Sequence, residues 1–185
     1  MENFSDGFEE EAATAMEAVA AQLREVTPIR LVTCRLPEIG DRDQKAVLAE
    51  LDADIGVAQT AVYSITLPDA DPAKTHAALT HARTTKLDNR AYSRVLSLPA
   101  DPTNVIYVGS CGHDGGRLST RLLQHLGFGY PRTYSLHLRH WGHGLGSIII
   151  SARIYPDSLS SKLLCALEDH MAAKLGPLFG KRGSV

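Results

Sequence analysis

The chain has 185 residues, of which 44% are hydrophobic and 22% are charged, and its formal net charge is −2. These values are typical of a soluble globular protein with one domain, with or without an extension. No apolar run approaches the roughly 20 residues of a membrane span, and the acidic N-terminus lacks the pattern of a secretory signal. The three cysteines are scattered without a Cys-x-x-Cys pair. This favours reduced thiols in a cytoplasmic protein and argues against a structural zinc site.

Basic residues are concentrated in the second half of the chain. Residues 1–100 contain 10 Lys and Arg against 16 Asp and Glu, a net charge of −6. Residues 101–185 contain 9 against 5, a net charge of +4, and six of the eight histidines. A basic C-terminal half of this kind can bind phosphate groups, or its charge can be an uneven surface distribution without a partner. Charge alone favours neither interpretation.

The first 57 residues are predicted to form a helical extension. Residues 8–25 are rich in alanine, with apolar residues at helical spacing. Residues 29–36 suit a short strand. Residues 41–55 suit a second amphipathic helix, for which Gly56 is a plausible end.

From residue 58 onward, segments with strand composition alternate with segments that have helical spacing. The strands, rich in β-branched and aromatic residues, are predicted at 61–67, 104–108 and 147–155. The helices are predicted at 72–87, 117–126 and 158–175. The glycine-rich residues 109–116 are predicted to form a loop. The fold class is therefore α+β, with a small central sheet of about three strands flanked by helices.

The helix at 117–126 carries the strongest chemical signal. Arg117, Arg121 and His125 are four residues apart, so three potentially cationic side chains share one helix face. An anionic ligand would relieve their repulsion, and the planar guanidinium fork suits phosphate. The alternative interpretation is a solvated basic helix face.

Glu168 lies on the last predicted helix, one step away from the apolar stripe. A carboxylate in that position can stand at the edge of a cleft and hold Mg²⁺ through oxygen, while water and phosphate fill the other positions. By itself, such a residue is more often a solvated helix residue.

Two tyrosines lie on strands that we expect to be neighbours, Tyr63 and Tyr107. A tyrosine becomes a useful base when nearby positive charge lowers its pKa from about 10. Arg121 and a metal ion at Glu168 are candidates for that charge. The alternative is that both rings belong to the core or its rim.

The segment Val105–Leu126 resembles the second half of the signature of the GIY-YIG nuclease family. In that family a Tyr-Ile/Val-Gly tripeptide ends a strand, a short loop follows, and the next helix presents Arg and often, four residues later, His. These features match Tyr-Val-Gly at 107–109, Arg121 and His125. The first tripeptide matches Ala-Val-Tyr at 61–63, with Ala in place of Gly.

The resemblance covers residues 61–180 and includes Glu168, which matches the single metal-binding glutamate of the family. It implies a small mixed or antiparallel sheet in a nuclease domain at 58–185. The two tripeptides are about 40 residues apart instead of adjacent, which implies an inserted helix at about 70–100. Gly180 stands about where the family often has Asn.

The resemblance implies a metal-dependent endonuclease that hydrolyses phosphodiester bonds in DNA, with Mg²⁺, or Mn²⁺ in its place, on Glu168. In this scheme Arg121 stabilises charge on the phosphate, and Tyr63 as phenolate takes a proton from water. His125 and Tyr107 position that tyrosine and the phosphate. The site cuts one strand, so a double-strand cut needs a homodimer or repeated visits.

Further contacts with the substrate are expected from four residues outside this set: Gly109, Ser110, Arg117 and Lys181. The expected partner is nucleic acid, DNA in the first place, and no membrane. The long loop before Arg121 leaves Arg117 as a rival for the arginine role. An alternative from another class is a nucleic-acid-binding module that keeps the fold with weak or no catalysis. A third is an unrelated soluble α/β protein.

Overall fold

The structure is a computed structural model that describes residues 8–112 and 115–180. The described strands are β1 (Arg30–Leu36), β2 (Ala61–Thr66), β3 (Val105–Cys111) and β4 (Ile148–Ile154). The described helices are α1 (Phe8–Glu25), α2 (Gln44–Ile55), α3 (Pro72–Thr84), α4 (Leu118–Leu126), α5 (Leu138–Trp141) and α6 (Ser161–Leu175). A short 3-10 turn covers Leu87–Asn89. None of these helices combines the length and apolar character that crossing a bilayer requires.

The strands form one antiparallel sheet in the order β1-β4-β2-β3. The α+β class is confirmed, but the sheet has four strands and the prediction of about three was wrong. The additional strand is β1, which pairs with β4 along its whole length, from Arg30 opposite Ile154 to Leu36 opposite Ile148. This strand comes from the segment 1–57 that was assigned to an extension. Strand β4 therefore lies inside the sheet, between β1 and β2.

The burial of each strand follows from how many of its faces are covered. Five of the six residues of β2 are buried, because helices lie on both of its faces. Buried and more exposed residues alternate along the whole of β4 and towards the C-terminal end of β1, which is typical of strands with one covered face. The main core contains apolar residues of α2, α3 and α4 packed on one face of the sheet. A smaller cluster around Val62, Tyr155 and Leu164 lies under α6 on the other face.

Strand β3 is longer than its sequence pattern indicated. Residues 109–111 were expected in a glycine-rich loop, but Gly109, Ser110 and Cys111 pair with Tyr63, Val62 and Ala61 of β2. Backbone pairing with a neighbouring strand outweighs the low strand propensity of glycine here. The remaining loop is correspondingly shorter.

Four helix ends differ from expectation by a few residues. Helix α2 begins at Gln44 instead of residue 41, with Asp43 as its N-cap. Helix α3 ends at Thr84, since Lys86 adopts a left-handed backbone with φ of 50°. Helix α4 begins at Leu118, so Arg117 is its N-cap residue. Helix α6 is capped by Ser160 instead of Ser158, and the Ser160 hydroxyl accepts a hydrogen bond from the Leu163 amide.

The residues after α6 cover part of the outer edge of β3. The Leu178 amide donates to the Val105 carbonyl at 3.2 Å, and the Phe179 amide donates to the Ile106 carbonyl at 3.0 Å. Phe179 is fully buried and anchors this segment. In the described part of the chain, the pairing reaches Tyr107 and stops there. The end of β3 beyond Tyr107 therefore borders a cleft.

Candidate active site

The register of β2 and β3 brings the two tyrosines together. Tyr63 lies opposite Gly109 and Ile65 lies opposite Tyr107, so both rings stand on the same face as diagonal neighbours. Their centroids are 6.2 Å apart, and the ring planes differ by 28°. A Cβ atom on residue 109 would lie 2.9 Å from the Tyr63 hydroxyl and 2.6 Å from a Tyr107 ring carbon. Glycine at this position therefore makes room for the tyrosine pair.

His125 reaches the tyrosine pair from α4 and is completely buried. Its Nε2 is 3.0 Å from the Tyr63 hydroxyl, and its ring centroid is 4.3 Å from that of Tyr107. Its Nδ1 accepts a hydrogen bond from the Leu136 amide at 3.4 Å. A neutral imidazole that accepts at Nδ1 carries its proton on Nε2, so this nitrogen donates to the Tyr63 oxygen.

His125 does not act as a cation in this environment. Burial holds the pKa of His125 well below its usual 6.5, and the positive charge of Arg121 lowers it further. The three potentially cationic residues of the α4 face therefore lie in different environments. Arg117 is exposed at the helix N-cap, His125 is neutral in the core, and Arg121 alone of the three lines the cleft.

Arg121 is half-buried beside both phenols. Its Nη1 donates to Gln124 Oε1 at 2.8 Å, which fixes the guanidinium along the helix. A tyrosine that acts as a base needs nearby positive charge to lower its pKa. Burial instead raises the pKa of Tyr63 well above 10 and also raises the pKa of Tyr107, although Arg121 counteracts both shifts. The phenols are therefore protonated at neutral pH.

Glu168 approaches the same place from the other face of the sheet. Ser110 lies on β3 with its side chain opposite in direction to that of Tyr107, and its hydroxyl donates to Glu168 Oε2. The negative charge of Glu168 contributes to the raised pKa of both tyrosines. Because β3 is the outermost strand, side chains from its two faces, Tyr107 on one and Ser110 with Glu168 on the other, can reach the same open edge of the sheet.

These groups line a cleft of about 660 Å³ at that edge. Its lining consists of Ser93, Arg94, Tyr107, Ser110, Arg121, Thr133, Tyr134, Glu168 and Gly180. Of the sequence-predicted residues, the structure thus brings Tyr107, Arg121, Glu168 and Ser110 together at one surface. Tyr63 and His125 lie directly behind Tyr107, with no exposed surface.

The remaining predicted residues have different positions. Arg117 does not line the cleft, whereas Arg121 does, so Arg121 is the better candidate for the phosphate-binding arginine. Gly109 acts through packing. Lys181 lies outside the described residues. Gly180 has a φ of 118°, and a Cβ there would lie 3.2 Å from the Tyr107 ring. Glycine therefore leaves room for the Tyr107 ring at the position where the family often has Asn.

Sequence reasoning missed several residues of the cleft. Arg94 comes from the segment between β2 and β3, and Tyr134 from the irregular stretch before α5. No spacing pattern links them to the α4 helix. Gln124 was also missed, although its distance of three positions from Arg121 was a usable signal for a side-chain contact.

The donor set for a metal ion is small. Glu168 supplies the carboxylate of the cleft lining, with the Ser110 hydroxyl beside it. Among the described residues, no group of three or more His, Cys, Asp and Glu side chains is arranged to hold a metal. A cation here would take most of its ligands from water and substrate. This fits Mg²⁺, which keeps several waters and uses one or two carboxylates.

Comparison with protein-family models, with curated proteins and with solved structures gives no match for this chain.

Proposed function

We propose that the chain is a metal-dependent endonuclease that hydrolyses phosphodiester bonds in DNA. The observation that carries the proposal is one cleft lined by a phenol, a guanidinium group and a carboxylate, namely Tyr107, Arg121 and Glu168. This combination suits hydrolysis of a phosphodiester, which needs a proton acceptor, a stabiliser of anionic charge and a hard metal ligand. The resemblance to GIY-YIG nucleases points to the same chemistry.

Arg121 is the group proposed to bind the scissile phosphate. Its guanidinium is held by Gln124 and lies half-buried, where a charge-assisted hydrogen bond is stronger than in water. As negative charge builds on the non-bridging oxygens, a fixed guanidinium stabilises it without reorganising. Arg94, exposed on the cleft wall, adds a second positive charge near the same phosphate.

Glu168 is the group proposed to hold Mg²⁺ or Mn²⁺, with Ser110 fixing one carboxylate oxygen. When bound, the cation supplies positive charge that polarises the phosphate and stabilises the leaving oxygen. Besides burial, which is the main cause, the Glu168 carboxylate contributes to the raised pKa of both tyrosines, so neutralising its charge also favours the phenolate. The binding of the cation and the activation of the base are therefore coupled through Glu168.

A tyrosine is proposed as the acceptor of the proton from the attacking water. Tyr63, the tyrosine expected in this role from the resemblance, is fully buried behind the cleft. Tyr107, 9% exposed, is the one of the two tyrosines that lines the cleft. We therefore assign proton removal to Tyr107. Tyr63, held by the Nε2–H of His125, fixes the position of the Tyr107 ring.

Plasmid cleavage tests this proposal. Purified protein with supercoiled plasmid and Mg²⁺ or Mn²⁺ is expected to produce nicked circles before linear DNA, because one site cuts one strand. Glu168→Ala should lower the rate at least a hundredfold, whereas Asp169→Ala on the same helix should leave it unchanged. A Glu168→Ala variant that cuts at the wild-type rate would contradict the metal assignment.

The alternative is a nucleic-acid-binding module with weak or no catalysis. The observations that favour it are the raised pKa of both tyrosines and the single carboxylate of the cleft. Supercoiled plasmid that stays intact with every metal, while the protein still binds DNA, would select this alternative. Cleavage that depends on Glu168 would exclude it.

A further inference from the structure

A second concave surface adjoins the cleft. We call it the basic groove; it has a volume of about 360 Å³, and its lining is Arg83, Lys86, Asn89, Arg90, Ala91, Tyr92, Arg132 and Tyr134. Tyr134 lines both the basic groove and the cleft, so the two surfaces are continuous. Most of the lining comes from the segment between β2 and β3.

The lining of the basic groove carries an excess of positive charge. Four of its lining residues are cationic, and the described lining contains no carboxylate. The ion pairs of the described residues join Arg42 to Glu50, His140 to Asp88 and His143 to Glu38, so none involves a cation of the groove. Arg83, Lys86 and Arg132 are exposed. Like charges gathered on one concave surface attract a polyanion.

The backbone of the groove is fixed by several contacts. Lys86, Asp88 and Asn89 all have left-handed backbones, with φ of 50°, 52° and 55°. This turn is tied down by the Asp88 carboxylate, 2.5 Å from His140 Nδ1, and by the Tyr92 hydroxyl, which donates to the Leu87 carbonyl at 3.2 Å. Backbone conformations of this kind cluster at ligand-binding sites.

Arg90 joins the two walls of the groove. Its Nη1 donates to the Gly129 carbonyl at 3.3 Å and lies 3.3 Å from His137 Nδ1. The Ala91 amide donates to the Pro131 carbonyl at 2.8 Å. The segment after α3 and the stretch before α5 are thereby held as one surface. Arg83, Lys86 and Arg132 are exposed on it, and Arg83 also donates from Nη1 to the Ser93 carbonyl at 3.4 Å.

We propose that the basic groove binds the phosphodiester backbone of the nucleic acid strand that leads to the cleft. The nature of the ligand rests on the proposed function, while the groove itself rests on its own charges and contacts. Exposed cations bind successive phosphates, and Tyr134, 71% exposed at the junction, can stack on a base or sugar. The inserted segment thus serves to position the substrate beside the site.

DNA binding without divalent metal tests the groove separately from cleavage. The variant is Arg83→Ala with Lys86→Ala and Arg132→Ala. The matched control is Lys45→Ala with Arg153→Ala and Lys162→Ala, which removes three exposed cations that line neither surface. Fluorescence anisotropy with labelled duplex and single-stranded oligonucleotides is measured across a salt series, after circular dichroism has verified folding.

The groove variant should lose at least tenfold in affinity, and the control should stay within twofold of wild type. The slope of log K against log salt should fall by roughly 0.9 for each lost phosphate contact in duplex and about 0.7 in single strands. Comparing the two oligonucleotides tells which form occupies the groove. In cleavage assays KM should rise while the single-turnover rate at saturation stays unchanged.

Equal losses in the groove variant and the control would overturn the proposal, since general electrostatics would then explain binding. So would an unchanged salt slope, or polyglutamate of matched charge that competes as well as DNA. The two proposals fail in different ways. A protein that binds DNA through the groove but leaves plasmid intact refutes only the nuclease, whereas cutting with unaltered binding in the groove variant refutes only the groove.

Discussion

At the residue scale, the candidate site separates into two residues with no exposed surface and three that line the cleft. Tyr63 and His125 have no exposed surface, and the His125 Nε2–H donates to the Tyr63 oxygen. Tyr107, Arg121 and Glu168 line the cleft. This difference is the reason for proposing Tyr107 as the proton acceptor and the pair behind it as support for its ring.

The pH dependence of cleavage distinguishes the two tyrosines. Since the pKa of Tyr107 is raised above 10, its phenolate is a minor species at neutral pH and increases about tenfold per pH unit. Single-turnover cleavage should therefore rise with pH through the alkaline range, with a slope near one. Tyr107→Phe should lose roughly 10²- to 10⁴-fold in rate together with this slope. Tyr63→Phe should keep the slope.

The opposite result, in which Tyr63→Phe loses the slope and Tyr107→Phe keeps it, would return the proton acceptor to the residue that the sequence indicated. Tyr130→Phe is the matched control, because that phenol is 64% exposed and does not line the cleft. Its rate should equal that of wild type at every pH.

At the element scale, the position of β3 at the edge of the sheet creates the site. One face of this strand presents Tyr107 towards α4, and the other presents Ser110 towards α6. In a strand inside the sheet, the neighbouring backbone on both sides would separate these two faces. The segment around Phe179 covers the strand as far as Tyr107 and leaves the cleft beyond it.

Gly109→Ala tests the close pairing of β2 and β3. The new Cβ would lie 2.6 Å from a Tyr107 ring carbon and 2.9 Å from the Tyr63 hydroxyl, so one ring must move. We expect a loss of about 1–3 kcal/mol in the free energy of unfolding by urea, with a lower cleavage rate. Gly115→Ala is the control, since its Cβ would lie 3.7 Å from the Cys111 sulfur. Wild-type stability of Gly109→Ala would contradict this packing.

At the scale of the whole molecule, two buried histidines link stability to pH. Burial lowers the pKa of His125 well below 6.5 and, with the charges of Arg90 and His140 also acting, lowers the pKa of His137 to about 4. Below pH 6.5 the unfolded chain binds protons that the folded chain does not. Stability therefore falls with falling pH, by up to about 1.4 kcal/mol per pH unit for each histidine.

This dependence can be measured as the urea midpoint between pH 7 and pH 4. His137→Asn should have a shallower decline between pH 6.5 and 4, because its titration is removed and Asn tolerates the left-handed backbone at this position. His170→Asn, which changes an exposed histidine, should keep the wild-type decline. Equal declines in the two variants would show that carboxylates account for the pH dependence.

Local patterns in the sequence predicted most of the individual elements. Helix α1 has the predicted bounds, and α4 begins one residue later than predicted. Such elements follow from side-chain periodicity and end signals within a few residues. The extension of β3 through Gly109–Cys111 did not follow from any local pattern, because the partner strand β2 lies more than forty residues earlier in the chain.

By itself, the sequence determined the chemical groups and their local spacing: the two tyrosines on strands, Arg121 and His125 one helical turn apart, and Glu168 on the last helix. Only the tertiary structure decided which of them meet. It placed β1 in the sheet, His125 in the core as a neutral donor, and Arg94 and Tyr134 on the wall of the cleft. Burial and strand order arise from contacts between distant segments, whereas spacing along one helix is a local property.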